Sequence, residues 1–366
     1  MSARKRVILY RFFLLFCGLA TVIGTVVIAC NAIDYAETDH GYLWAFGAAV
    51  AALVLIPLNT LTHEIGHLTA GALVGMRFSS VRFSRLRIVK VGKKVYVRFL
   101  RFKEVAGSCE MYPGSERGVR GKMIFYSLGG AIFNLAYAGA LIATVFIFPM
   151  HPILYFFQLF APLNLLEAAA CLYPVQTATG KTDGETVRGL TVKDPSSVVA
   201  LHVLTAQGIL CKGTFADIDE SFLFQLPVVR EDDPAFLALT HLRWQYLFAA
   251  GREQEAFEQL LRLEELYAYL PEINRADVAC DLVYFYSLLR PDLSRAKEYL
   301  ADAGLFSVSC AYLRAMAAYT RMTGEHSDYF AEAKECAAGE PIVGVAELEK
   351  YFLARIEGEV NEKSSA

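Results

Sequence analysis

The chain has 366 residues, of which 55% are hydrophobic, and its mean hydropathy is +0.36. This composition is too apolar for an ordinary soluble protein, and it predicts a membrane protein with a soluble part. The formal net charge of −3 argues against a nucleic-acid partner.

Four apolar segments are predicted to cross a lipid bilayer, for which a helix needs about 20 residues. Residues 12–30 and 123–149 carry no charge, and residues 152–175 contain only Glu167. Residues 43–72 reach the required length only if the helix continues through the polar sequence LNTLTHEIGH. We therefore predict a mainly α-helical, polytopic membrane bundle of about four spans over residues 1–190.

The distribution of basic residues predicts the orientation of this bundle. The N-terminal sequence SARKR is basic, the loop 31–42 has no Lys or Arg, and residues 77–103 hold ten Lys or Arg and no acid. Cytoplasmic loops carry the excess of basic residues, so the N-terminus, the loop after the second span and the C-terminal domain are predicted to be cytoplasmic. This describes a multi-pass membrane protein. A competing interpretation takes residues 1–30 as a signal peptide ending in a lipoprotein-like VIAC box, although their apolar run is long for one.

The sequence HEIGH, within the second predicted span, indicates a metal site. His63 and His67 are four residues apart, so on a helix they share one face and can bind one metal ion. Glu64 lies beside the first histidine and can take a proton from a water molecule as a general base. A catalytic zinc site usually has three protein ligands and one open position, so a third ligand must come from elsewhere in the chain. The alternative is two histidines that reach toward water from a helix end.

The basic loop after this motif alternates apolar and basic residues with a period of two, which predicts a β-hairpin over residues 81–103 with its turn at Gly92-Lys93. One interpretation is a hairpin that rests on anionic lipid head groups. Another is an edge strand that holds a substrate in an extended conformation by β-augmentation. The two are compatible.

Asp183 is the preferred candidate for the third metal ligand. It follows a Gly-Lys-Thr break after the fourth predicted span and precedes Gly184, so a loop can carry it back toward the histidines. Glu167 and Cys171, near the same end of that span, are the other candidates. The alternative role for Asp183 is that of a helix N-cap or turn residue.

Two polar residues, Asn134 and Asn164, fall inside the predicted spans. Buried amides in a membrane face the interior of a helix bundle and find partners there, so they serve either helix packing or function. The pair Gly129-Gly130 permits close helix approach or a local opening of the helix.

Residues 191–366 are predicted to form a soluble cytoplasmic domain. Apolar residues recur at helical spacing on both sides of three turns, at Gly251, Pro291 and Gly324. This pattern is typical of degenerate tetratricopeptide-type helical hairpins, whose repeat is about 34 residues, and a non-repeating helical bundle is the alternative. Such a domain would bind a cytosolic peptide or protein partner.

The eight cysteines are scattered along the chain without a Cys-x-x-Cys pair. We predict that they are reduced packing residues rather than a disulfide framework or a thiolate metal site.

The order of HEIGH, then GGAIFN, then LNLL, YPV and TDGE resembles the site-2 protease family of intramembrane zinc metallopeptidases, in a bacterial form, over residues 43–190. The resemblance implies a protein of the bacterial cytoplasmic membrane. The resemblance implies that His63, His67 and Asp183 bind Zn2+ and that Glu64 is catalytic. It also implies a substrate-binding role for a further set of residues: Gly129, Gly130, Asn134 and Asn164. Two departures stand out. The sequence VQTATGKT lengthens the approach to Asp183, and the segment 77–122 is too short for the PDZ insert that the family often carries.

The implied function is hydrolysis of peptide bonds in or near transmembrane segments, or in short hydrophobic precursor peptides. The alternative is a non-catalytic membrane scaffold of the same fold, which binds a transmembrane client and recruits a cytosolic partner through its helical domain. A small ion transporter is a third class, but four spans without visible inverted repeats argue against it.

Overall fold

A computed structural model describes residues 3–36, 41–91, 94–99, 107–147, 157–177, 180–270, 272–306 and 309–364. They are mainly helical, with a small antiparallel sheet. The chain divides into two compact units. The first comprises Met1–Val89, Tyr96–Tyr112 and Arg120–Val192, and the second comprises Lys90–Val95, Pro113–Val119 and Lys193–Ala366.

Five helices make up most of the first unit: α1 (Ala3–Ala36), α2 (Gly41–Leu73), α3 (Val119–Ile147), α4 (Phe160–Leu172) and α5 (Asp183–Val192). Helices α1, α2 and α4 pack against one another, and α5 packs against α4. The sequence HEIGH lies in the last third of α2.

Two of the described helices are long and apolar enough to cross a bilayer, Lys5–Ile28 within α1 and Val119–Thr144 within α3. A signal sequence and the core helix of a soluble protein have the same length and composition, so these two helices alone do not establish a multi-pass protein. The predicted span 43–72 coincides with α2, whose side chains are described only in part. The predicted span 152–175 contains α4, which has 13 residues and is shorter than the ~20 that a span needs. The predicted four-span bundle is therefore not confirmed.

The small sheet has four strands: β1 (Met76–Phe83), β2 (Leu86–Val91), β3 (Lys94–Phe99) and β4 (Gly107–Pro113). Their order is β3-β2-β1-β4, and β1 pairs with β2 in antiparallel fashion, with Phe83 opposite Leu86. The hairpin predicted over 81–103 is thus part of a larger sheet, and its predicted turn at Gly92-Lys93 lies outside the described residues. Sequence alternation did not reveal β4, whose residues GSCEMYP lack a regular apolar period.

The basic face of this sheet is partly internal. The Arg87 side chain is only 8% exposed, and its guanidinium donates to the Glu110 carboxylate at 3.0 Å and to the Ser80 hydroxyl at 3.1 Å. Glu110 lies on β4, so this ion pair ties β2 to the strand that the sequence did not predict. Arg87 therefore stabilises the sheet rather than facing lipid head groups.

The described residues of the second unit form the helices α6 (Pro195–Leu210), α7 (Glu220–Phe224), α8 (Pro234–Ala249), α9 (Glu253–Glu265), α10 (Glu272–Tyr284), α11 (Leu293–Ala303), α12 (Cys310–Thr323), α13 (Tyr329–Gly339) and α14 (Val343–Ser364). The pairs α8/α9, α10/α11 and α12/α13 pack against each other. Gly251 and Gly324, in two of the predicted turns, have φ of +73° and +75°, a region that favours glycine. The tetratricopeptide-type repeat stays a prediction.

The interior of this unit contains a buried polar network around Asp281. Its carboxylate accepts hydrogen bonds from Arg314 at 2.5 Å, from His241 at 2.8 Å and from the Trp244 indole at 2.9 Å. The Arg314 guanidinium also lies 3.9 Å from the centre of the Phe352 ring. A buried ion pair contributes little net stability, but removing one partner leaves a buried charge unpaired, so the network fixes how α8, α10, α12 and α14 pack.

The prediction that all cysteines are reduced is wrong for one pair, since Cys310 and Cys336 form a disulfide. Packing of α12 against α13 brings their Cα atoms to 5.4 Å, within the range that a disulfide requires. The two residues are 26 positions apart in the sequence, with no motif to link them. The other six cysteines are free thiols.

Candidate metal centre

Three polar side chains in the last third of α2 are buried. His63, Glu64 and His67 are 4%, 5% and 6% exposed. The spacing of four residues brings the two imidazole rings together edge to face, with their centroids 4.7 Å apart. Their Nε2 atoms lie 3.1 Å from each other. The two nitrogens therefore point at a common position.

Asp183 completes a group of three donors with these histidines. Its Oδ2 atom lies 3.2 Å from Nε2 of His63 and 3.5 Å from Nε2 of His67. Glu167 and Cys171, the other candidates for the third ligand, are not part of this group, which is the one set of potential metal-binding side chains found among the described residues. The structure thus brings together the three residues that the sequence predicted as ligands.

A short hairpin explains how Asp183 reaches the histidines despite the longer sequence before it. Strands β5 (Gln176–Thr177) and β6 (Gly180–Lys181) pair, and the Thr182 N–H donates to the Val175 carbonyl at 3.1 Å. The hairpin therefore brings the two ends of the VQTATGKT segment close together. The unusual length of this segment does not displace Asp183.

Thr182, rather than Asp183, caps the first turn of α5. The Thr182 hydroxyl accepts a hydrogen bond from the Glu185 N–H at 3.2 Å, as a helix N-cap does. Asp183 is the first residue of the helix, and its carboxylate is free to face the histidines. Gly184 follows because any Cβ there would collide with the carbonyl oxygen of Leu172 at the end of α4. This accounts for the Asp-Gly pair.

The electrostatic environment keeps Asp183 ionised. Burial raises the pKa of its carboxyl, but the interactions with the neighbouring His63 and His67 outweigh burial and lower the pKa to about 2. Asp183 is therefore a carboxylate at neutral pH, the form that binds a metal cation.

Backbone and side-chain groups of α3 contact the outer edges of the two imidazole rings. The Tyr126 carbonyl lies 2.8 Å from Nδ1 of His67, and because a carbonyl only accepts, Nδ1 carries the proton. The lone pair of His67 Nε2 then faces His63 and Asp183. The Asn134 amide lies 3.3 Å from Nδ1 of His63. No pattern in the sequence pointed to Tyr126, because its contact is made by the backbone carbonyl and leaves no residue-type signal.

Glu64, the residue after His63, is also buried. Its Oε2 atom is buried and has no hydrogen-bond partner among the described residues. The first residue of β4 lies against it, since a Cβ at Gly107 would be 2.5 Å from Glu64 Oε1. The carboxylate is therefore beside the ligand set and has an unoccupied lone pair.

Glycines allow α2 and α3 to approach closely at the site. A Cβ at Gly66 would lie 2.6 Å from the Gly129 carbonyl oxygen, and one at Gly129 would lie 2.5 Å from the Ala70 Cβ. A Cβ at Gly130 would lie 2.5 Å from Nε2 of His63 and 2.7 Å from Nε2 of His67. Gly130 thus keeps open the space beside both ligand atoms. The predicted role of Gly129 and Gly130 in binding substrate stays a prediction.

We expect Gly130→Ala to abolish zinc binding, because the added methyl group would lie between the two ligand nitrogens. Gly139→Ala is the matched control: the same exchange on the same helix α3, where a Cβ would meet no atom within 4 Å. Zinc content of the two purified variants is the measurement. Equal zinc in both would show that the space beside Gly130 does not belong to the metal centre.

The remaining predicted residues lie on α4. Asn164 is fully buried, and its amide donates to the Phe160 carbonyl of its own helix at 2.8 Å. Glu167 accepts a hydrogen bond from Asn59, which lies one turn before His63 and also donates to the Leu163 carbonyl at 3.2 Å. Sequence analysis did not single out Asn59, although its spacing of four from His63 places it on the same face of α2. These contacts join α2 to α4; the substrate-binding role of Asn164 stays a prediction.

The donor set fits zinc. Zn2+ in catalytic sites takes three nitrogen or oxygen ligands from the protein and keeps a fourth position open. Two atoms bound to one tetrahedral zinc at about 2.0–2.1 Å lie about 3.3 Å apart. The three donor atoms here are separated by 3.1, 3.2 and 3.5 Å. Two imidazole nitrogens and one carboxylate oxygen are thus already spaced as three corners of a zinc tetrahedron.

Comparison with known proteins adds nothing to this geometry. No protein-family model, no curated protein and no solved structure matches the chain.

Proposed function

We propose that this chain is an intramembrane zinc metalloendopeptidase of the site-2 protease type. The observation that carries the proposal is the spacing of the three donor atoms of His63, His67 and Asp183, beside the buried carboxylate of Glu64. A structural zinc site would close the fourth position with another protein ligand. Here no fourth histidine, cysteine or carboxylate joins the donor group among the described residues, which leaves the fourth position to water.

The apolar helices support a membrane setting. Only 6% of the apolar window of Lys5–Ile28 is buried inside the protein, so its side chains face outward, as they would toward lipid. The proposal places α1, α2, α3 and the segment around α4 as four spans in the bacterial cytoplasmic membrane. The buried, polar end of α2 is then the part of the bundle that lines a water-accessible pocket.

The proposed chemistry divides between the metal and Glu64. When bound, Zn2+ polarises the scissile carbonyl and lowers the pKa of a bound water molecule. Glu64 accepts a proton at its carboxylate and passes it to the leaving amine, as a general base and then a general acid. Its free Oε2 atom is available for that proton. His63, His67 and Asp183 hold the metal and do not exchange protons in the reaction.

The proposed substrates are membrane-embedded proteins, their membrane-proximal segments and short hydrophobic precursor peptides. A peptide bond inside a helix has its carbonyl hydrogen-bonded and shielded, so the substrate must unwind before it is cut. An unwound segment can add as a strand to a sheet edge. Of the two edges, β3 and β4, the latter begins against Glu64. We therefore assign β4 as the strand that presents the substrate backbone.

In the same proposal, the C-terminal unit is the docking domain for a cytosolic peptide or protein.

Cleavage of a membrane-spanning test peptide by the purified protein in lipid tests this function. We expect cleavage with zinc present, loss of cleavage on treatment with a zinc chelator, and recovery when zinc is restored. A protein that binds the peptide with zinc present but never cuts it would instead be a non-catalytic scaffold. Capture of clients on a Glu64→Gln variant, followed by their identification, would then name the natural substrate.

The proposed orientation predicts that the basic loop is cytoplasmic. A cysteine placed at Lys93 should resist a membrane-impermeant thiol reagent in intact cells, whereas one at Thr38, in the loop without Lys or Arg, should react. Labelling at position 93 from outside would reverse the topology. The test also bears on the C-terminal unit, which the same orientation places in the cytoplasm. Its disulfide between Cys310 and Cys336 is unusual there, because disulfides are rare in a reducing cytoplasm.

A further inference from the structure

We propose that Asn134 is a positioning residue for the metal: its side-chain oxygen accepts a hydrogen bond from Nδ1 of His63 and so presents the Nε2 lone pair of that ring to zinc. The proposal rests on the zinc centre proposed above. It gives Asn134 a role different from the substrate binding that the sequence implied.

The position of Asn134 favours this role. Its side chain is completely buried on α3, and its amide nitrogen lies 3.3 Å from Nδ1 of His63. Nδ1 is on the opposite edge of the ring from Nε2, the atom that faces Asp183 and His67. The amide therefore lies behind the ligand ring and not on the side where the donor atoms converge.

The amide of Asn134 can present either of its two ends to the ring. With the nitrogen of Asn134 facing Nδ1, the oxygen Oδ1 is buried and has no hydrogen-bond partner among the described residues. Leaving a buried polar atom unpaired costs about 1–3 kcal/mol, and this cost falls on Oδ1 in one orientation of the amide and on Nδ2 in the other. A half-turn of the amide, whose two ends have nearly the same shape, puts Oδ1 against Nδ1. Oδ1 then has a donor, and His63 carries its proton on Nδ1.

This proton position is the one that a metal ligand needs. A histidine binds a metal through the unprotonated nitrogen, and its other ring N–H donates to a carbonyl, carboxylate or water that fixes the ring. His67 already has that arrangement, with the backbone carbonyl of Tyr126 at 2.8 Å from its Nδ1. Helix α3 thus supplies an acceptor to each histidine, a backbone oxygen for His67 and the Asn134 oxygen for His63. The close packing of Gly66 against Gly129 brings α3 within reach of both rings.

Two exchanges at position 134 separate this role from substrate binding. Asn134→Leu has a similar size but no acceptor, and we expect its zinc affinity to fall about 10–100-fold, as for other groups that orient a metal-bound histidine. Asn134→Asp keeps an acceptor oxygen and lacks the amide donor, and we expect it to retain the zinc affinity of the unsubstituted protein. Asn164→Leu is the matched control, because Asn164 is equally buried but bonds within its own helix. It should leave zinc affinity unchanged.

The measurements are zinc affinity, by competition with a chelator, and the visible absorption spectrum of the cobalt-substituted protein, which reports ligand geometry. Retained affinity in Asn134→Leu overturns the proposal, as does loss of affinity in Asn134→Asp. If both variants bind zinc normally but fail to cut peptide, Asn134 acts on the substrate instead. An unsubstituted protein that binds no zinc would refute the metal centre itself, an outcome distinct from the failure of Asn134 alone.

Discussion

Replacing Asp183 by alanine should remove zinc and peptidase activity together. Two histidines one helical turn apart cannot close a catalytic zinc site, and Asp183 is the carboxylate whose oxygen lies within 3.5 Å of both Nε2 atoms. Loss of a ligand should exceed the about 10–100-fold decrease in metal affinity that follows loss of a group outside the ligand set. Metal analysis of the purified variant, with a peptide-cleavage assay on the same sample, is the measurement.

Glu167→Ala is the control for this experiment. Glu167 is a second acidic residue at the same end of the bundle, but it accepts its hydrogen bond from Asn59 rather than from a histidine. We expect Glu167→Ala to keep most of its zinc and activity. A zinc-replete Asp183→Ala protein would end the assignment of Asp183, and zinc loss confined to Glu167→Ala would transfer it to Glu167.

Replacing Glu64 by glutamine should leave zinc in place and reduce peptide hydrolysis by about 10²–10⁴-fold, the usual contribution of general acid–base catalysis. This loss corresponds to about 3–5 kcal/mol of transition-state stabilisation. The amide has the shape of the carboxylate but cannot accept the proton. Because Glu64 is outside the donor group of His63, His67 and Asp183, the metal should remain bound.

The decisive comparison is between cleavage rate and zinc content in the same Glu64→Gln preparation. Full activity with full zinc would exclude Glu64 as the base. Loss of zinc along with activity would mean that Glu64 supports the metal centre instead of acting on the substrate.

The sequence was sufficient to predict that His63 and His67 lie together because that signal is local. The spacing of four between His63 and His67 requires only a helix to bring the rings together, and α2 provides it. Asp183 could be predicted only by its place after an apolar segment. Its approach depends on the β5/β6 hairpin and on the Thr182 cap, which no residue pattern reveals.

Other parts of the fold depend on contacts that no pattern in the sequence shows. Strand β4 has no regular alternation, and it is held beside β1 by the contacts of Glu110 with Ser80 and Arg87. The disulfide between Cys310 and Cys336 follows from packing of α12 on α13. The fourth predicted span, 152–175, is not confirmed: α4 covers Phe160–Leu172 of it, and residues 152–156 lie outside the described part of the chain.

The central claim is that zinc is held by two imidazoles and one carboxylate, and X-ray absorption at the zinc edge of the purified protein tests it most directly. The predicted spectrum shows nitrogen and oxygen neighbours only, at about 2.0–2.1 Å, with the outer-shell pattern of two imidazole rings. Cys171, the other candidate ligand with a sulfur atom, lies on α4 and has a free thiol. A sulfur neighbour at about 2.3 Å, or a protein that holds no stoichiometric zinc, would contradict the account.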